Sequence, residues 1–144
     1  MRRTIQKVGR RTINPIAIRL LKLGLPAPPY SPKSALVLET VGRRSGRRWV
    51  TPMGYVRESA DTVLVVAEHG RRADWVRNAL AAGEVGVWLG RREYRGRITV
   101  LDDIGPEDVL KKTSALHRGM VRGLANRPKA VRIALTGAER PGRG

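Results

Sequence analysis

Two short apolar runs, Ala35-Leu36-Val37-Leu38 and Trp49-Val50-Thr51-Pro52-Met53, are joined by Thr40-Val41-Gly42-Arg43-Arg44-Ser45-Gly46-Arg47-Arg48. A glycine-bracketed stretch between two apolar runs dictates strand, tight turn and strand. Gly42 and Gly46 open backbone angles closed to other residues, including positive φ. Turns of this kind can aim several backbone N–H groups at one point and create an anion-binding concavity. The four arginines add planar, permanently charged forks suited to phosphate and carboxylate. The local pattern has two readings: a site for a small ligand with several negative charges, or a solvated basic turn.

The rest of the chain has to build a core around that hairpin with little aromatic material. There is no Phe, and aromatics make up 4% of 144 residues. The core is therefore aliphatic, and one domain is expected at this length. Zero Cys excludes disulfide and thiolate chemistry and fits a reducing, cytoplasmic setting. His69 and His117 are too few for a His-rich metal site, so no metal is expected. The net charge of +17 attracts polyanions. A GC-rich genome would also raise the Arg content, but not its clustering: residues 1–50 hold twelve Lys or Arg and one acid, Glu39. No apolar run reaches the ~20 residues of a spanning helix, and the N-terminus lacks the apolar segment of a secretory signal.

Residues 1–33 read as a basic N-terminal segment. It comprises an amphipathic helix over 12–23 and an extended Pro-rich linker over 25–33. A cofactor-binding domain is expected over 34–136 and a tail over 137–144. Strands are expected at Ala35–Thr40, Trp49–Arg57, Asp61–Ala67, Glu84–Leu89, Glu93–Leu101 and Val131–Leu135. Pro52 marks the second as an edge, a bulge or a close approach. The apolar run Val63–Val66 implies burial on both faces. A helix over Asp74–Ala82 should turn Trp75, Val76, Ala79 and Leu80 inward, with Asp74 satisfying N-terminal donors. Another begins at Pro106 and reaches about His117, and residues 118–129 read as loop. Six short strands with two short inserted helices predict a mainly β, α+β fold, a small antiparallel barrel.

The pattern Thr40-x-Gly42-Arg43-x-Ser45-Gly46, Thr51-Pro52, Asp74-Trp75-x-x-Asn78-x-x-Ala81 and Gly90-Arg91-Arg92 resembles the deazaflavin-dependent nitroreductase family. These are actinobacterial flavin/deazaflavin oxidoreductases with a split β-barrel of the FMN-binding kind, and the resemblance runs from about Leu36 to Val100. It implies coenzyme F420, an 8-hydroxy-5-deazaflavin with a phosphate and an oligoglutamate tail. Carried over, Arg43, Arg44, Ser45 and Gly46, with Arg47 and Arg48, would hold phosphate and tail. Thr51, Pro52 and Met53 would line the ring. Ala67, Glu68, His69 and Gly70 would touch its other edge, and Trp75 and Asn78 would close the cofactor side. Trp49 stands where many members carry Arg, with Arg47 or Arg48 as replacement charge. Residues 105–144 lack the tyrosines that some members place over substrate, leaving His117, Met120 and the N-terminal helix as pocket candidates.

The implied reaction is hydride transfer to a quinone, nitro compound or other electrophilic small molecule. The cofactor carries the chemistry and the protein binds and orients it. His117 and Tyr55 are the candidate proton sources. Glu68 reads as a loop acid paired with Arg71 or Arg72. FMN is the alternative cofactor, since fold does not fix function. A nucleic-acid-binding barrel is the rival class, opposed by six aromatics in all and no recognisable recognition motif. Residues 1–23 could also rest peripherally on an anionic membrane at the inner face of the cell membrane. Monomer and homodimer both remain open.

Overall fold

The computed structural model describes residues 15–27, 30–31, 33–113, 118–119, 122–123 and 125–136. Seven strands form one antiparallel sheet: β1 (Ala35–Val41), β2 (Arg48–Gly54), β3 (Val56–Ser59), β4 (Thr62–Ala67), β5 (Val85–Leu89), β6 (Arg92–Val100) and β7 (Lys129–Thr136). Their order is β2-β1-β5-β6-β7-β4-β3, and the sheet curls into a split half-barrel. Helices are α1 (Pro15–Lys22), α2 (Asp74–Ala82) and α3 (Pro106–Leu110), with a 3-10 turn at Gly70–Arg72. The α+β split-barrel expectation holds.

Alternation along the strands builds two faces. Inward-facing Leu36, Leu38, Val63, Val65, Val87, Val131 and Ile133 enclose Ala73, Val76 and Ala79 from α2 and its entry. On the outer face, α1 places Leu21 over Val37, with Val50 and Trp88 alongside. There α3 places Val109 against Leu64 and Ala130. β4 is thus buried on both faces, as its apolar run requires. The parity expected of β6 is also observed: Tyr94, Ile98 and Val100 pack inward while Arg95, Arg97 and Thr99 are exposed.

Several expectations are corrected. Among the described residues there are seven strands, because the run Trp49–Arg57 breaks at Tyr55, whose N–H donates to the Ser34 carbonyl at 3.0 Å instead of extending a ladder. Within the expected Pro-rich linker, Ala27 and Tyr30 exchange two backbone hydrogen bonds as an isolated bridge. The helix from Pro106 ends at Leu110, where the following turn takes over with Thr113 donating to the Leu110 carbonyl. Within the expected loop 118–129, residues 118–119 and 122–123 are helical, and β7 already begins at Lys129. On α2, Leu80 is 54% exposed and Asn78 is buried in its stead. Residues 1–14 and 137–144, His117 and Met120 lie outside the described residues.

Candidate anion-binding turn

The turn between β1 and β2 is closed by its own backbone. Gly42 N–H donates to the Arg47 carbonyl at 2.8 Å, and Gly46 N–H donates to the Gly42 carbonyl at 2.9 Å. Ser45 Oγ accepts from Arg47 N–H at 3.1 Å. Gly46 has φ +74, as the sequence requires. Gly42 does not; a Cβ there would lie 2.7 Å from Ser45 Oγ, so the hydroxyl that accepts from Arg47 N–H would have to move.

The four arginines fall into two sets. Arg43 is held by α2: its backbone N–H and its Nη1 both donate to Asn78 Oδ1, at 3.1 and 2.7 Å. Its Nη2 also lies 3.7 Å from Asp74 Oδ1. Arg48 is held on the outer face by Glu39 at 2.8 Å, and Lys22 from α1 takes the other carboxylate oxygen at 2.6 Å. Burial works to raise the Glu39 pKa, but the hydrogen bonds from Lys22 and Arg48 outweigh it and hold the carboxyl below its ordinary value. Arg44 and Arg47 have no hydrogen bond or ion pair among the described residues, although the Arg47 guanidinium sits 5.9 Å over the Trp49 ring. The backbone N–H groups of Arg44 and Ser45 also lack partners there. Two guanidinium groups and two N–H groups at one exposed turn are therefore open to an anion, and phosphate or carboxylate suits them.

The other expected site residues divide by position. Trp49, Thr51 and Met53 share the inner parity of β2, and Met53 packs on the main core. Pro52 has the opposite parity, pairing with Val37 of the outer cluster. It is buried on an edge strand, so any ring contact from it would run through its backbone. Trp75 packs against the inner core from the first turn of α2. Ala67, Glu68, His69 and Gly70 lead through the 3-10 turn to Asp74, the residue of α2 that lies beside Arg43. Gly70 has φ +59, and a Cβ there would collide with the Arg127 carbonyl oxygen. Arg71 of this loop pairs with Asp102 at 3.0 Å, and Lys129 holds the other oxygen of that carboxylate at 2.8 Å. Of the two arginines expected beside Glu68, Arg71 and Arg72, Arg71 thus turns to Asp102. The Glu68 backbone carbonyl accepts from Asn126 N–H at 2.8 Å. The N-cap of α2 is Ala73, and Asp74 is the acidic residue of its first turn.

Tyr55 follows β2 at the end remote from the turn, about 20 Å along the strand. Burial pushes its phenol pKa up, against Arg57 and with Tyr94. It keeps its proton at neutral pH, but away from the turn. The sequence missed Glu39 and the framing role of Asn78. A single acid among twelve cations was the available signal for Glu39. Among the described residues no cluster of His, Asp or Glu is arranged to hold a metal.

A family model described as F420H(2)-dependent quinone reductase matches residues 26–114, more than half of the chain. A solved F420-H2 dependent reductase is 21% identical with TM-score 0.50, over 71% of this chain and 94% of its own. The general stress protein 26 of Bacillus anthracis is 17% identical with TM-score 0.53, over 72% and 80%. The heme storage protein HutZ of Vibrio cholerae is 16% identical with TM-score 0.50, over 78% and 84%. At these identities the likeness is one of fold. No curated protein matches the chain in sequence.

Proposed function

The chain belongs to the F420H(2)-dependent quinone reductase family and is an F420-dependent reductase, and from that premise we propose how it holds its cofactor and what it reduces. The carrying observation is the pair of open guanidinium groups, Arg44 and Arg47, beside two open N–H groups at a turn inside the matched region. That donor set fits a phosphate followed by carboxylates, which is what the cofactor offers. Arg44, Arg47, Ser45 and Gly46 would hold the phosphate and the start of the tail. Thr51 and Met53, the loop Ala67–Gly70 and Trp75 would line the ring. When bound, the reduced deazaflavin supplies a hydride. The protein contributes position and a wall of aliphatic and Trp side chains that excludes water. The acceptor is a quinone or similarly electrophilic small molecule.

The test is a fluorescence titration with oxidised coenzyme F420, FMN and single-stranded DNA at matched moderate salt. Saturable binding of F420 at micromolar or lower concentration, ahead of FMN, is expected, followed by quinone turnover. FMN ahead of F420 would replace the cofactor, and DNA binding without either would refute the site.

A second observation favours a peripheral membrane contact. On α1 and the turn after it, Ile16, Leu23 and Leu25 are 66%, 54% and 46% exposed, beside Arg19. An apolar and basic surface of this kind suits an anionic bilayer, where quinones reside. None of the helices among the described residues is long and apolar enough to cross a membrane. Pelleting with anionic vesicles at low and high salt tests the contact, and its absence at both removes it.

A further inference from the structure

Asn78 was expected to touch cofactor; its geometry assigns it a different task. It is 5% exposed, on a helix face otherwise made of Val76 and Ala79. A buried amide on an apolar face has to be satisfied. Its Oδ1 accepts twice from one residue 35 positions away, from the backbone N–H and from the guanidinium of Arg43. That double contact fixes both the entry of the chain into the turn and the rotamer of Arg43. It also removes Arg43, already beside Asp74, from the groups open to an anion. The donors that remain open are those of the next two residues, Arg44 and Ser45, and of Arg47.

We infer that Asn78 is a positioning residue that builds the anion site through Arg43, and that Arg43 is part of the frame of that site and not a ligand to the anion. This rests on reading the turn as an anion site. It separates phosphate recognition from ring recognition: Asn78 acts on the phosphate-bearing end alone.

Wild type, Asn78→Ala, Arg43→Ala and the double variant are titrated with three probes. These are inorganic pyrophosphate by calorimetry, coenzyme F420, and the same deazaflavin lacking phosphate and tail. Each single variant is expected to weaken pyrophosphate and F420 by about tenfold, the scale of a charge-assisted hydrogen bond. The phosphate-free deazaflavin should change less than about twofold. The double variant should be no weaker than the weaker single, because the two residues act as one unit. Arg43→Lys keeps the backbone contact and loses the fork, and is expected to show an intermediate loss. It preserves the test should Asn78→Ala fail to fold. Equal loss for the phosphate-free deazaflavin would make Asn78 a ring contact and overturn the inference. So would additive losses, or pyrophosphate binding equal in wild type and variants, whatever F420 does. If wild type binds pyrophosphate but not F420, with the variants behaving as expected, the cofactor reading fails and the positioning role stands.

Discussion

Gly42-Arg43-Arg44 and Gly90-Arg91-Arg92 carry the same three residues at turns joining antiparallel strands, yet the molecule treats them differently. The second is a bare hairpin: Leu89 pairs with Arg92, Gly90 has φ +62 and open space around it, and the stem of Arg91 covers Gly24. The first is tied to a helix on one side through Asn78 and Asp74 and to α1 on the other through Glu39. A third copy, Gly70-Arg71-Arg72, is wedged under Arg127 and clasped by Asp102. A Gly-Arg-Arg tripeptide is not a site by itself. On the proposed reading the first copy is one because other elements hold Arg43 and Arg48 and leave Arg44 and Arg47 of an exposed turn open. Two held and two open cations can discriminate among anions, whereas four loose ones attract any polyanion.

The largest break in the comparison is expected at the wedged copy. Gly70→Ala combines a φ of +59 with a backbone collision, and should cost about 3 kcal/mol or more, read as a fall in the urea midpoint. Gly90→Ala has only the φ term and should cost about 1–2 kcal/mol. Next comes the open pair: Arg44→Ala with Arg47→Ala should weaken F420 by more than about tenfold. Arg91→Ala with Arg92→Ala, equal in charge removed, should change it less than about threefold at moderate salt. Equal losses would mean that net charge, not the built turn, binds. A smaller effect concerns Glu39. Its folded pKa is depressed, so its contribution is present above the ordinary carboxylate value of 4.5 and is lost as pH falls through the folded value. Glu39→Gln should flatten that part of the acid limb of a stability–pH curve, while leaving Arg48 free at neutral pH. The smallest effect is expected far from the turn: Glu58→Ala breaks an exposed pair with Arg132 and should cost less than about 1 kcal/mol.

Much of this molecule was readable because its elements carry local signals. The apolar runs located every strand but one, and Asp74–Ala82 was read to the residue. The miss at Tyr55 has a local cause, since β-type residues continue across the break and only Gly54 hints at it. The miss on α2 is of another kind. Periodicity places Leu80 with Val76 and Ala79, and nothing within the helix says that an amide should replace a leucine. That demand comes from the Arg43 amide, 35 residues upstream. The sorting of the arginines was equally hidden, because it depends on partners that only the fold brings close: Glu39 reaches 17 residues back to Lys22 and 9 forward to Arg48.

The two strands that end the sheet have a further consequence. β2 carries Pro52, which has no N–H to offer, and β3 is four residues long, kinked between Arg57 and Ser59, with exposed Arg57 and Glu58. A barrel that does not close leaves two rims on which a neighbouring molecule could add a strand and begin a fibre. In this chain proline blunts one rim, and shortness, a bulge and charge blunt the other. The open seam therefore carries its own protection against edge-to-edge aggregation.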